Sequence, residues 1–122
     1  MYAIDLHPER NLVDIRWTGL FTADAVAGYA NELERRFVAG GFRPGYLLRM
    51  DMSATTVQPR DAVDAIHARL GDFPRARRIA VVTGSAITRL QVQRFMTQPY
   101  LRIFADPDAA LAWLTEPDLL PA

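Results

Sequence analysis

The sequence predicts an α/β fold: a single mixed, mostly parallel five-stranded sheet with about four helices. Three observations predict it. An apolar strand, Ile79 to Val82, stops at Thr83-Gly84-Ser85, where a helix starts. A second strand, Tyr100 to Phe104, stops at Asp106-Pro107-Asp108, where another helix starts. Near the N-terminus, two strands are separated only by His7-Pro8-Glu9-Arg10, which is hairpin spacing. Strands joined by a short turn pair antiparallel, whereas strands reached through a helix pair parallel by right-handed crossovers.

The first two strands are Tyr2 to Leu6 and Asn11 to Thr18. In the second, Leu12, Val13, Ile15 and Trp17 alternate imperfectly, as in a strand partly covered on both faces. Gly19 breaks it, Thr22 is a good N-cap and Asp24 places negative charge in the first helical turn. Val26, Tyr29, Ala30, Leu33 and Phe37 then recur at helical spacing, which predicts an amphipathic helix over 23–39, ended by Gly40-Gly41.

Pro44-Gly45 precedes the third strand, Tyr46 to Met52, and Ser53 to Gln58 reads as a polar loop. Pro59 suits the first turn of a second helix, whose one side carries Val63, Ile66 and Leu70 and which Gly71 and Pro74 end. The fourth strand (78–83), a third helix (85–97), the fifth strand (100–104) and a final helix (107–115) complete the series. Short sequential connections favour a progressive strand order with the helices largely on one face. One domain over 1–116 is expected, with Pro117 and Pro121 marking a short tail over 117–122.

Composition narrows the function. At 122 residues the chain is long enough for one domain with a real core, and half of it is hydrophobic. No apolar run approaches the roughly 18 residues that span a bilayer. Met1-Tyr-Ala-Ile-Asp-Leu6 lacks the basic stretch and apolar run of a secretory signal, so a cytoplasmic location is the expectation. Without cysteine there is no disulfide, thiolate or Cys-based metal chemistry. All 14 basic residues are Arg, which removes Schiff-base and P-loop lysine chemistry. Acidic residues also number 14, so steering toward nucleic acid is not expected. Residues 60–102 nevertheless hold eight Arg against three Asp, which reads as solvated helix faces and strand edges or as a basic patch for an acidic partner or anionic headgroups.

The motifs offer little chemistry. Ser85 sits at a strand-to-helix turn, yet Thr83 and Ile87 occupy the glycine positions of a nucleophile elbow. His7 falls in the first hairpin turn and His67 inside the second helix, so neither is placed to serve Ser85. No His or carboxylate spacing suits a metal, and no cofactor is expected: Asp61 and Asp64 read as solvent-facing, and Asp106 and Asp108 as cap and first-turn acid. Glycines meet neither nucleotide fingerprint. Ligands of open α/β sheets favour the C-terminal strand edge, where Asp51, Ser53, Thr55 and Thr56 leave the third strand, Thr83 to Ser85 the fourth and Asp106 the fifth. With Met52 and Met96, whose soft side chains suit varied apolar ligands, Asp51, Ser53, Thr55, Thr56, Thr83 and Ser85 form the candidate ligand-binding set, although turn and cap roles account for the polar members singly. In the third helix, Ile87, Leu90, Arg94 and Phe95 mark one side, and Val92 and Met96 extend the apolar arc. That arc suits core packing, an apolar groove or a partner-binding helix.

The segments Arg16-Trp-Thr-Gly-Leu-Phe-Thr22, Leu47-Leu-Arg-Met-Asp-Met-Ser53, Arg78-Arg-Ile-Ala-Val-Val-Thr83 and Ile103-Phe-Ala-Asp-Pro-Asp-Ala-Ala-Leu-Ala-Trp-Leu114 resemble SpoIIAA-like proteins of the STAS superfamily. That group shares its fold with CRAL–TRIO lipid-transfer domains. The resemblance implies a non-enzymatic domain that binds a partner protein or an apolar ligand. It also implies a phosphorylatable serine at the start of the second helix in anti-sigma antagonists. The matching stretch here, Val57-Gln-Pro-Arg-Asp-Ala62, has no Ser or Thr, and Ser53, Thr55 and Thr56 lie too early to take that role.

The leading expectation is therefore a cytoplasmic, regulatory domain that binds an apolar small molecule or lipid. Its alternative is a protein-interaction module of the anti-sigma-antagonist type. A third, a hydrolase using Asp51, Ser53 or Ser85, has no motif behind it. Homodimerisation is compatible with either of the first two.

Overall fold

A computed structural model describes residues 2–19, 22–55, 58–70 and 73–117, with the His67 side chain left aside. Strands β1 (Tyr2–His7) and β2 (Leu12–Gly19) pair antiparallel. The chain reverses between them through a short 3-10 turn, Pro8–Arg10, and Asn11 closes it in the left-handed region (φ 51°), its N–H donating to the Pro8 carbonyl at 3.1 Å. Strands β3 (Tyr46–Thr55), β4 (Ala76–Val82) and β5 (Leu101–Phe104) then add in parallel, giving the spatial order β1-β2-β3-β4-β5. The progressive order expected from the short connections is the one observed.

Helices α1 (Ala23–Ala39), α2 (Arg60–Leu70) and α3 (Ala86–Phe95) make the three crossovers. Because successive crossovers have one hand and the strands advance in one direction, all three helices fall on the same face. Their buried side chains, among them Tyr29, Leu33, Phe37, Ala62 and Val92, join Val13, Ile15, Trp17, Ile79 and Val81 in one core. Helix α4 (Pro107–Leu114) follows the last strand and crosses to nothing, so it folds back over the other face. There Ala110 and Leu114 pack on Leu12, Leu47, Ala80 and Val82. Strand β2 is thus covered on both sides, as its broken alternation predicts.

Three predicted caps are made. The side chain of Thr22 accepts from the Ala25 N–H, Ser85 from the Thr88 N–H, and Asp106 from the N–H groups of Asp108 and Ala109. The stretch after Met52 differs from expectation. Instead of a loop from Ser53, β3 continues to Thr55, because β2 resumes pairing after an irregularity beyond Arg16 and matches Thr18 with Ala54 and Gly19 with Thr55. Thr56, Val57, Gly71 and the tail beyond Pro117 lie outside the described residues.

Candidate functional site

Sheet and crossover helices do not meet everywhere. Between them lies a cavity of about 460 Å³, within the size range of small-molecule sites. Its floor follows from the period-two alternation of strands: Val13, Ile15 and Trp17 of β2, Tyr46, Leu48, Met50 and Met52 of β3, and Ile79 of β4 all point to this face. The walls come from the inward stripes of the helices, with Tyr29 and Leu33 from α1, Val63, Ile66 and Leu70 from α2, and Val92 and Phe95 from α3.

Parallel strands give the cavity two unlike ends. At the C-terminal end, Trp17 and Met52 stand with Gln58 and Gln91. The two amides brace each other: the Gln58 N–H donates to Gln91 Oε1 at 3.0 Å, and Gln91 Nε2 donates to the Gln58 carbonyl at 2.9 Å. Gln58 Nε2 also donates to the Gly19 carbonyl at 3.0 Å, so one side chain ties the end of β2 to the start of α2. At the N-terminal end stand Tyr46, Phe73, Pro74, Arg75, Gln98 and Tyr100. Tyr46 donates its hydroxyl proton to the Pro74 carbonyl at 3.0 Å, and burial, followed by the neighbouring Tyr100, pushes its pKa up to about 12. The Arg75 guanidinium lies over the Tyr100 ring, 5.4 Å from its centroid. The Gln98 Oε1 atom is buried and has no hydrogen-bond partner among the described residues. Burial raises the Tyr29 hydroxyl far above its ordinary range, which keeps this wall uncharged.

Of the candidate residues, Met52 and Met96 line the cavity. Thr56 lies outside the described residues, and Asp51, Ser53, Thr55, Thr83 and Ser85 stand at the strand edge. Asp51 Oδ1 accepts from the Ser53 N–H at 3.0 Å, and its other oxygen is 3.9 Å from Arg16 Nε. Thr55 is buried and donates to the Met52 carbonyl at 2.8 Å. Thr83, also buried, accepts from the Ser85 N–H at 3.1 Å, and Ser85 caps α3. Ser53 is exposed.

Helix α3 is turned differently from its predicted apolar side. Thr88 and Val92 are buried, and Gln91, Val92, Phe95 and Met96 line the cavity, whereas Ile87 and Leu90 are 64% and 65% exposed. The reason is physical: the inward stripe at 88, 91, 92 and 95 has correct helical spacing but includes Thr and Gln, so hydrophobicity alone selects the wrong arc. The polar members of the cavity were equally invisible, since no sequence pattern marks Gln58, Gln98 or Arg75. The alternations Val13-Ile15-Trp17 and Tyr46-Leu48-Met50-Met52 are the signals for its floor.

The opposite face is built for structure. Arg49 holds Asp14 through Nε (3.0 Å) and Nη2 (2.6 Å), and its Nη1 donates to the Pro107 carbonyl of α4 at 3.1 Å. Arg78 and Arg102 lie over the Trp113 ring at 5.4 and 5.3 Å. Arg69 joins α2 to α1 through Glu34 (2.6 Å) and Asn31. Much of the Arg excess of residues 60–102 is thus spent on packing. Among the described residues no three His, Cys, Asp or Glu side chains are grouped to share a metal, and no helix is long and apolar enough to cross a membrane.

A family model described as SpoIIAA-like matches residues 12–115. No curated protein is similar enough in sequence to count as a match. Among solved structures, the chain is similar to an anti-sigma factor antagonist from Mycobacterium paratuberculosis, with a TM-score of 0.67 at 12% identity over 95% of this chain and 94% of that one. An uncharacterized protein from Shewanella loihica PV-4 with a SpoIIAA-like fold gives a TM-score of 0.71 at 18% identity, covering 93% of both chains. The anti-sigma factor antagonist SpoIIAA in its unphosphorylated form gives 0.61 at 14% identity, covering 93% of this chain and 96% of that one. Identities this low establish a shared fold.

Proposed function

Since the chain belongs to the SpoIIAA-like family, we propose that it is a non-enzymatic regulatory module that works by engaging a protein partner. Two of its solved neighbours are antagonists of anti-sigma factors, which makes an anti-sigma factor the partner class to test. The observation that carries this reading is the outer side of α3. Ile87 and Leu90, three apart on one helical face, are about two-thirds exposed, and no acidic residue stands on the helix. Adjacent exposed apolar side chains gain by burial against another protein, and Arg89 and Arg94 would favour an acidic one. A serine switch is not part of the reading, because Gln58 and Pro59 stand where the resemblance would require one.

The test is capture of an anti-sigma factor from the native cytosol by the immobilised chain, with crosslinks read by mass spectrometry. Crosslinks to α3, lost in Ile87→Asp/Leu90→Asp at unchanged thermal midpoint, are the expected result. Capture that survives this double substitution would place the partner elsewhere and defeat the proposal.

A second reading has its own observation. The apolar cavity beneath α2 and α3 suits an apolar small molecule, the ligand class that the sequence suggested first. Fold neighbours favour the partner reading; the cavity alone favours this one.

A further inference from the structure

We infer that the cavity takes a single-chain amphiphile with a carboxylate head, the head at Arg75 and the tail running beneath α3; this rests on the apolar-ligand reading of the same cavity. The shape suggests the tail. From Tyr46 to Met52 the floor strand rises roughly 20 Å. A volume of about 460 Å³ spread over that length leaves a cross-section on the order of 20 Å², room for one unbranched chain. Leu48, Met50, Ile66, Val92 and Phe95 line this middle stretch, and flexible Met side chains adapt to a tail of variable conformation.

The polarity of the two ends sets the direction. At the C-terminal end the amides of Gln58 and Gln91 are engaged with each other and with the Gly19 carbonyl, so an incoming head group would have to break satisfied bonds. The N-terminal end is the reverse. Arg75 is exposed, its guanidinium carbon stands 5.4 Å from the Tyr100 ring centroid, and it has no carboxylate partner among the described residues. A guanidinium so placed presents a planar fork of N–H donors that matches a carboxylate bidentately. Beside it in the lining, the Gln98 amide has a buried, unpartnered oxygen. Its last torsion is soft, so the amide can turn its NH2 to a carboxylate oxygen. One cation and one amide match a monoanion; a phosphate dianion would keep uncompensated charge at an apolar mouth.

The experiment is titration of the full chain, below the micellar range, with decanoate, tetradecanoate, hexadecanoate, hexadecanol, hexadecyltrimethylammonium and hexadecyl phosphate, read by calorimetry. The expected series tightens about fourfold per methylene until the cavity is filled. Hexadecanoate is expected to bind at least tenfold more tightly than hexadecanol, and Arg75→Glu to erase that preference, while Arg75→Lys retains part of it. Hexadecanol or the ammonium binding as tightly as the acid, or the phosphate binding tenfold more tightly, would overturn the carboxylate head and leave the cavity reading standing. No binding by any amphiphile, or affinity independent of chain length, would overturn the cavity reading itself. Partner capture through α3 is unaffected by any of these outcomes, so the two proposals fail separately.

Discussion

Asp14 and Arg49 face each other in register on the parallel strands β2 and β3 and are joined by two hydrogen bonds, with the same guanidinium reaching the Pro107 carbonyl at the start of α4. Their side chains are 19% and 17% exposed, so the pair is shielded by the sheet and α4 but not fully dry. The hydrogen bond to Asp14, ahead of the desolvation that opposes it, holds the Arg49 pKa above its ordinary value. This one side chain couples the middle of the sheet to the helix that covers its back.

Removing one partner therefore costs more than removing both. Arg49→Met leaves a shielded carboxylate and frees the Pro107 carbonyl, and is expected to destabilise by about 2 kcal/mol. Asp14→Leu/Arg49→Met should recover part of that loss, because no charge is then stranded. Urea denaturation of both singles and the double closes the cycle; additive singles would show that the pair is not coupled.

Alkaline stability follows from the buried tyrosines. The folded-state pKa of Tyr46 is raised from 10.0 to about 12, and that of Tyr29 is raised further. A raised folded pKa favours the protonated form in the folded chain, so this stabilisation is complete below pH 10 and is lost as pH climbs through the folded value. For Tyr46 the two units amount to on the order of 3 kcal/mol. Stability should fall steeply above pH 10, with the slope reduced in Tyr46→Phe. Phenolate absorbance appearing together with unfolding, and not before it, is the corresponding spectroscopic outcome.

Gln91→Leu tests the brace at the other end of the cavity. It strips the partner from the Gln58 N–H and leaves the Gln58 carbonyl without its donor, which predicts a loss of about 1–2 kcal/mol. Hydrogen exchange should accelerate in α3 first, because this pair fastens α3 to the entrance of α2. Uniform acceleration across the sheet would mean that the brace is not local.

The contrast between these predictions shows what the sequence could express. Strand order, the hairpin and the caps at Thr22, Ser85 and Asp106 were legible, because each depends on chain-local chemistry: turn residues, periodicity and connection length. The inner stripe of α1 was legible for the same reason, since all five of its buried residues are apolar or aromatic. The inner stripe of α3 was not, because Thr88 and Gln91 occupy it while Ile87 and Leu90 face out. The cavity draws Arg75 and Gln98 from loops ahead of two different strands, and only the parallel register places them at one end. A pattern along the chain cannot encode such a meeting. Met52 and Met96 line the cavity, whereas the hydroxyls of Thr55, Thr83 and Ser85 are engaged in turns and caps.

Thr88 offers the sharpest test of how α3 is seated. It is 0% exposed, and its Oγ1 is buried without a hydrogen-bond partner among the described residues. A hydroxyl in that position loses its water and regains nothing, a cost of about 1–3 kcal/mol. Valine has nearly the same shape and no hydroxyl to desolvate, and α3 is anchored at this point by the Thr88 N–H, which Val keeps and which Ser85 caps. Thr88→Val should therefore be neutral to stabilising, by up to about 1 kcal/mol, whereas Thr88→Ala, which removes the buried methyl as well, should destabilise. Chemical denaturation of the two variants side by side decides the matter. If Thr88→Val lost stability, the hydroxyl would have a partner in solution, and α3 would sit against the sheet in a different rotation.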